Sequence, residues 1–249
     1  MSELEIAGVS LQGDRPNNQD RCAWWHREGV ALLAVADGLG GHQGGALAAE
    51  TLLRRCEAAF AAVRPPLADP LGFLRRILVE THEALLLAGL DSDPPTTPMT
   101  TAALAWVQQG QVWWSTLGDS RVYWVRHDGV HPLSRDHSYA EELLQRGLLQ
   151  QPLPADHPWR ARLTRCLGGF PSLPPPHCGG PFCLAAGEVV LLCSDGLWGP
   201  LGEAPLRFLA AADSLEAAVV ELADEAVGRA APVADNTTLL AARPSPQAV

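Results

Sequence analysis

Four aspartates of this chain stand where an apolar run meets a turn, and their chemistry depends on what they meet there. Asp37 closes Ala34-Val35-Ala36-Asp37-Gly38, and Asp119 follows Ser115-Thr116-Leu117-Gly118. Asp195 closes Leu191-Leu192-Cys193-Ser194-Asp195-Gly196, and Asp235-Asn236 leads into Thr237-Thr238-Leu239-Leu240. A carboxylate held at the rim of an apolar core is costly unless it meets a hydrogen bond, a cation or a metal. Glycine beside Asp37 and Asp195 also lets a backbone carbonyl approach a ligand. These donors are hard oxygens with no accompanying His or Cys set, which selects Mg²⁺ or Mn²⁺ over zinc. Any one Asp-Gly dipeptide is an ordinary turn. The recurrence is what carries the signal, and spatial convergence is not legible from spacing.

Rival chemistries fall on single residues. The glycine-rich stretch from Asp37 to Gly45 would need glycine at position 43 to complete a dinucleotide fingerprint from Gly38 and Gly40, and it has Gln43. A Walker-type loop needs lysine, and all 18 basic residues are arginine. No HExxH occurs, and Gly118-Asp119-Ser120-Arg121-Val122 ends in valine where a nucleophile elbow has glycine.

The elements that must position the aspartates follow from periodicity. Ala31 to Ala36 reads as a buried strand. Gly45 to Val63 carries Ala48, Leu52, Cys56, Phe60 and Val63 at helical spacing. A second helix opens on Asp69 as cap and Pro70 in its first turn and stops near Gly89. Thr101–Val107, Val112–Leu117 and Arg121–Arg126 read as strands separated by Gly-containing turns. Ser138-Tyr139-Ala140-Glu141 is a capping box for a short helix ending near Gly147. Glu188–Cys193 is a strand, Leu215–Val227 a helix and Thr237–Ala242 a closing strand, whereas Gly168 to Pro181 reads as loop, as do Arg64-Pro65-Pro66 and Asp93-Pro94-Pro95. Meandering strands with helices in pairs predict an α+β protein rather than a parallel βαβ sheet.

Composition bounds the rest. The 249 residues, 47% of them hydrophobic, suffice for one large domain with a real core. A formal charge of −10 argues against non-specific nucleic-acid or anionic-membrane binding. No run approaches the roughly 20 apolar residues of a membrane span. The start Met1-Ser2-Glu3-Leu4-Glu5 is acidic where a secretory signal is basic and then apolar, so a cytoplasmic protein is expected. The cysteines Cys22, Cys56, Cys166, Cys178, Cys183 and Cys193 lack CxxC spacing and read as small buried thiols rather than zinc or disulfide partners.

Five motifs in order then resemble one family. Arg15-Pro16-Asn17-Asn18-Gln19-Asp20, Asp37-Gly38-Leu39-Gly40-Gly41-His42, Gly118-Asp119-Ser120-Arg121, Cys193-Ser194-Asp195-Gly196-Leu197-Trp198 and Asp235-Asn236-Thr237-Thr238 are similar to the signature of the metal-dependent protein phosphatases (protein phosphatase 2C, PPM), in the compact bacterial form. Met99-Thr100-Thr101, Asp136-His137-Ser138 and Leu163-Thr164-Arg165-Cys166-Leu167-Gly168 match as well. The resemblance runs from about Gly8 to Ala242 of a single domain spanning 1–249, with a flap at about 138–168.

It implies an α-β-β-α sandwich of two antiparallel sheets flanked by helix pairs. It implies that Asp37 bridges two Mn²⁺ or Mg²⁺ ions, with the Gly38 carbonyl on one and Asp195 and Asp235 on the other. Asp119 joins Asp195 at a more weakly held third site, and Asp20 lies near the first ion, acting through water. Two divalent ions acidify water for direct attack on phosphorus with no covalent intermediate, and they would bring the formal charge of −10 nearer −6. Arg15 is the expected phosphate clamp, since a guanidinium matches two phosphate oxygens. Leu39 stands where some relatives have a histidine that protonates the leaving group, so the general acid is unassigned. His42 lies nearby as a catalytic or structural group, and Gln19 replaces a glutamate common in relatives. Asp136 and Asp156 are loop residues that could assist the metals, and Cys193 and Trp198 read as packing. The implied activity is hydrolysis of phosphoserine and phosphothreonine in proteins by a cytoplasmic monomer opposing a Ser/Thr kinase. The rivals are a silent phosphoprotein-binding module on the same fold and a phosphatase of small metabolites.

Overall fold

Strands buried on both faces build the centre of the molecule, a computed structural model that describes residues 3–27, 29–40, 43–91, 96–154 and 157–245. The described elements are β1 Leu4–Leu11, β2 Arg21–Arg27, β3 Val30–Ala36, β4 Gly38–Leu39, α1 Gln43–Ala62 and α2 Pro70–Leu90. Then come β5 Met99–Thr100, β6 Ala102–Gln108, β7 Gln111–Leu117, β8 Arg121–Arg126, β9 Gly129–Pro132 and α3 Tyr139–Gln145. The chain closes with β10 His177–Cys183, β11 Val189–Cys193, α4 Asp195–Leu201, α5 Phe208–Ala211, α6 Leu215–Ala230 and β12 Thr237–Pro244.

Two five-stranded antiparallel sheets stack in the orders β1-β12-β11-β8-β9 and β10-β7-β6-β3-β2, with β4-β5 a small ribbon beside them. In β3, Ala31, Leu33 and Val35 face the other sheet, where Val190, Leu192, Leu240 and Ala242 meet them. The alternate residues Leu32, Ala34 and Ala36 pack under α1 and α2 against Leu52, Leu74 and Leu78. Both faces of β3 are covered, which is why its sequence is an unbroken apolar run rather than an alternating one. The outer face of the other sheet packs Tyr123, Leu191 and Leu239 against Leu197, Leu215 and Leu222 of α4 and α6. This is the α-β-β-α sandwich that the motifs implied.

The helix signals act as read. Asp69 Oδ1 accepts from the Gly72 amide at 2.9 Å, with Pro70 in the first turn. Ser138 Oγ accepts from Glu141 N at 3.3 Å, opening α3.

No element is assigned from the sequence to β1, β2, the short β4, β5 and β9, or the short helices α4 and α5, and β10 begins at His177 inside the stretch expected to be loop. β10 is an edge strand paired to β7 with a register shift between Gly179 and Phe182. The two glycines fit tight places there: a Cβ on Gly179 would lie 2.8 Å from the Trp114 ring, and Gly180 has φ +111°. The cysteine expectation is corrected in part. All six thiols are free, but Cys178 and Cys183 are exposed on β10. Five residues apart, they would alternate to opposite faces, and the register shift between Gly179 and Phe182 turns both outward.

Candidate metal centre

The acidic strand ends converge at one rim of the sandwich, around a basin of about 250 Å³. Its wall includes Arg15, Gln19, Asp37, Gly38, Asp195, Asp235 and Asn236. Asp37 leaves β3 and is held by its backbone. Its N–H donates to Thr101 Oγ1 at 3.0 Å, and its carbonyl accepts from Thr100 Oγ1 at 2.9 Å and from Thr101 N at 2.8 Å. Thr101 Oγ1 in turn shares a 2.6 Å hydrogen bond with Ser120 Oγ, one residue beyond Asp119. These bonds leave the Asp37 carboxylate to the basin.

Asp195 is the first residue of α4, after Ser194 as cap. Ser194 Oγ donates to Asp20 Oδ2 at 2.6 Å and accepts from Thr238 N at 3.0 Å. Asp235 precedes β12, and its neighbour Asn236 is the staple of the rim. Asn236 Nδ2 donates to the carbonyls of Gln12 at 2.7 Å and Asn17 at 3.0 Å, and its Oδ1 accepts from Gln19 N at 2.8 Å. One side chain thus fixes the loop that carries Arg15.

Glycines set the spacing by absence of bulk. A Cβ at Gly38 would fall 2.3 Å from Gly45 O and 2.8 Å from Gln19 O. At Gly196 it would fall 2.1 Å from Asn236 O. Neither position needs a left-handed backbone. They let main chain press on main chain, so that Asp37 and Asp195 reach the same basin.

Electrostatics say what the basin wants. Burial, then the carboxylates around it, pushes Asp37 well above the ordinary carboxylate range, Asp20 being the first of those neighbours. Burial raises Asp119 well above that range too, with Asp195 and Asp136 adding. Asp195 rises to about 6 through burial and Asp235, and Asp20 to about 7 through burial, against the opposing hydrogen bond from Ser194. Asp119 Oδ1 is buried with no hydrogen-bond partner among the described residues. Crowded carboxylates deprived of water call for a cation. Among the described residues no three His, Cys, Asp or Glu side chains already close on a single point. The donor set is hard oxygen throughout, with the orphan Asp119 oxygen in its field, and it fits Mg²⁺ or Mn²⁺.

A pH dependence follows. For a carboxyl whose folded pKa lies above its unfolded value, the native chain holds more protons than the unfolded one, so stability falls as pH rises through that interval. His137 works in the opposite sense: burial lowers it to about 4, so its contribution to stability rises with pH up to about 6.5 and is flat beyond. The melting temperature of the metal-free chain in EDTA is therefore expected to fall between pH 6.5 and 7.5, across the pKa of about 7 of Asp20, with Asp37 and Asp119 shifted in the same direction. Saturating Mn²⁺ should flatten that fall. Calorimetry that finds the EDTA curve level or rising over this window contradicts the electrostatic reading.

Of the residues expected to act, Arg15, Asp37, Gly38, Asp195 and Asp235 line the basin together. Asp119 and Asp20 lie behind its wall within the same electrostatic field. Arg15 Nη2 donates to Asp235 Oδ2 at 2.7 Å across an exposed mouth. His42 and Asp156 fall outside the described residues. Asp136 is not a solvated loop residue, although its charge reaches Asp119 and Asp195. It accepts from Arg121 Nε and Nη2 at 2.8 and 2.7 Å in a largely buried fork, because Arg121 on β8 needs a counter-charge there. Ser194 and Asn236 were missed as functional supports, although both stand inside the quoted motifs.

The chain resembles known proteins along most of its length. A profile of the protein phosphatase 2C family matches residues 7–235. Protein phosphatase PhpP of Streptococcus pneumoniae serotype 2 is 28% identical over 215 residues, covering 84% of this chain and 85% of the relative. Serine/threonine phosphatase stp of Listeria innocua serovar 6a is 30% identical over 197 residues, covering 78% and 77%. Among solved structures, the PPM Ser-Thr phosphatase MsPP of Mycobacterium smegmatis, in complex with cacodylate, superposes with TM-score 0.80 at 33% identity over 98% of this chain and 99% of that one. The Mycobacterium tuberculosis serine/threonine phosphatase PstP/Ppp gives TM-score 0.84 at 25% identity over 96% and 98%.

Proposed function

The chain belongs to the protein phosphatase 2C family of serine/threonine phosphatases, and on that premise we propose that its acidic rim is a two-ion Mn²⁺ or Mg²⁺ centre for hydrolysing phosphoserine and phosphothreonine in proteins. The observation that carries this reading is the convergence of Asp37, Asp195 and Asp235 on one basin with Arg15 at its mouth. Asp37 with the Gly38 carbonyl, Asp195 and Asp235 would hold the ions, and Asp119 with Asp195 a third. When bound, the ions supply Lewis acidity, neutralising phosphate charge and acidifying water.

The chain's own residues do the rest. Thr100 and Thr101 fix the Asp37 backbone, Ser194 fixes Asp20, and Asn236 fixes the loop of Arg15. Arg15 is the guanidinium in the wall, free to exchange Asp235 for two phosphate oxygens. In-line attack by water then meets a phosphate oriented from its far side. The leaving serine or threonine oxygen needs a proton, and no described side chain is assigned to give it.

One phosphatase domain spans the chain, with its core at about 8–242 and a flap at about 138–168. No helix among the described residues is long and apolar enough to cross a membrane. The free thiols suit a reducing compartment, so we place the enzyme in the cytoplasm as a monomer, opposing a Ser/Thr kinase on shared phosphoproteins.

The test compares a phosphothreonine peptide with a small aryl phosphate and phosphorylated metabolites, in Mn²⁺ and in EDTA, for wild type and Asp235→Asn. Peptide hydrolysis that needs Mn²⁺ and collapses in the variant is expected. Turnover indifferent to EDTA contradicts the proposal. Mn²⁺ binding without turnover identifies a silent binding module, and turnover confined to metabolites identifies a small-molecule phosphatase.

A further inference from the structure

Trp198 lies one helical turn beyond Asp195 on α4, so its indole leans back over the turn that presents that carboxylate. The ring is buried, and its single donor needs a partner. Nε1 donates to the backbone carbonyl of Asp119 at 3.0 Å. Two acidic residues from distant parts of the chain are thereby tied through one side chain, Asp195 by the helix and Asp119 by the hydrogen bond.

The face of the same indole is occupied by two arginines. The Arg121 guanidinium carbon stands 3.6 Å from the ring centroid while its nitrogens fork onto Asp136, two residues before Ser138 opens the flap segment. Arg160, from within that segment, stands 5.4 Å from the centroid. Arg160 donates to Leu153 O at 3.3 Å, which binds the segment to itself, and no carboxylate pairs with it among the described residues. A cation over the face of tryptophan is attracted by the ring quadrupole. Trp198 is not in the wall of the basin, so it acts through other groups.

We propose that Trp198 is a positioning residue that docks the segment 138–168, through Arg160, onto the carboxylate pair Asp119 and Asp195. This rests on the metal-centre reading. It replaces the expectation that Trp198 is packing alone. Movement of the segment would be felt at Asp119, and order at Asp119 would hold the segment down.

The two ties can be cut separately in the full chain. Trp198→Phe keeps a flat ring for the arginines and removes the donor. Trp198→Leu removes both ties but keeps the Arg160 bond to Leu153 O, whereas Arg160→Met removes the flap cation together with that bond. Mn²⁺ is titrated calorimetrically, and amide hydrogen exchange is followed in residues 139–162. Trp198→Phe is expected to weaken by about 10-fold the Mn²⁺ step that Asp119→Asn abolishes, with exchange unchanged. Arg160→Met is expected to speed exchange about fivefold, the size of one cation–π contact, with that Mn²⁺ step less affected than in Trp198→Phe. Trp198→Leu should do both. Wild-type Mn²⁺ binding by Trp198→Phe, beside a lost step in Asp119→Asn, overturns this proposal alone. So does unchanged exchange in Arg160→Met, where a half-buried guanidinium gives way to an uncharged side chain, or in Trp198→Leu. If wild type binds no Mn²⁺, it is the metal-centre reading that fails; if Asp119→Asn binds as wild type does, the third-site assignment fails and this proposal with it.

Discussion

Asp37→Asn is expected to lower kcat/KM for a phosphothreonine peptide by about 10³-fold or more at saturating Mn²⁺, because several kcal/mol of charge stabilisation pass through this carboxylate. The substitution keeps the shape of the side chain. The bonds that place residue 37 are made by its backbone to Thr100 and Thr101, so the variant should fold. It should even fold better without metal. Asp37 sits in the field of Asp20, Asp195, Asp119 and Asp235, and removing one charge relieves both desolvation and repulsion. A raised melting temperature in EDTA together with lost turnover is the joint signature of a carboxylate retained for function at the expense of stability. Steady-state kinetics and thermal melts read the two halves. A kcat/KM within tenfold of wild type excludes Asp37 from the centre of the chemistry.

Arg15→Ala comes second in size, with an expected loss of about 10² in kcat/KM, as for truncating one partner of a charged, hydrogen-bonded pair. In the structure Arg15 leans on Asp235, with its side chain 57% exposed. An exposed pair of this kind contributes about 0–1 kcal/mol, so little opposes its exchange for a phosphate dianion carrying two matched oxygens. Arg15→Lys should recover only part of the loss, since an ammonium cannot make the fork. Inhibition by inorganic phosphate should weaken in parallel with kcat/KM, whereas a merely structural Arg15 would leave phosphate inhibition intact. Values within threefold of wild type in Arg15→Ala would remove it as the clamp.

What was legible in the sequence is what is decided locally. Asp37, Asp195 and Asp235 announce themselves because each marks an abrupt change from apolar run to turn, and such changes survive without knowledge of neighbours. The supports are decided across the chain. Ser194 reaches Asp20 over 174 positions, and Asn236 reaches Gln12 over 224, and no spacing rule carries that information. Glycine carried a second role that local reading does not show. Gly38 and Gly196 read as openings for a ligand, yet Cβ atoms there would strike Gly45 and Asn236 backbone, so they also serve main-chain packing. Asp136 was misread because its fate depends on Arg121, 15 residues earlier on β8. β10 hid within Gly, Pro and Cys because edge position and a register shift tolerate residues that central strands reject. Family resemblance supplied the ligand roles that local reading left open.

The carboxylates of this rim are expected to act together as one divalent-metal centre. Calorimetric titration of the full chain with Mn²⁺ at pH 7.5, wild type against Asp37→Asn, addresses it without recourse to turnover. At least two ions per wild-type chain are expected, with both strong sites lost together in the variant because they share that carboxylate. One ion or none in wild type, or an unchanged stoichiometry in Asp37→Asn, would contradict it.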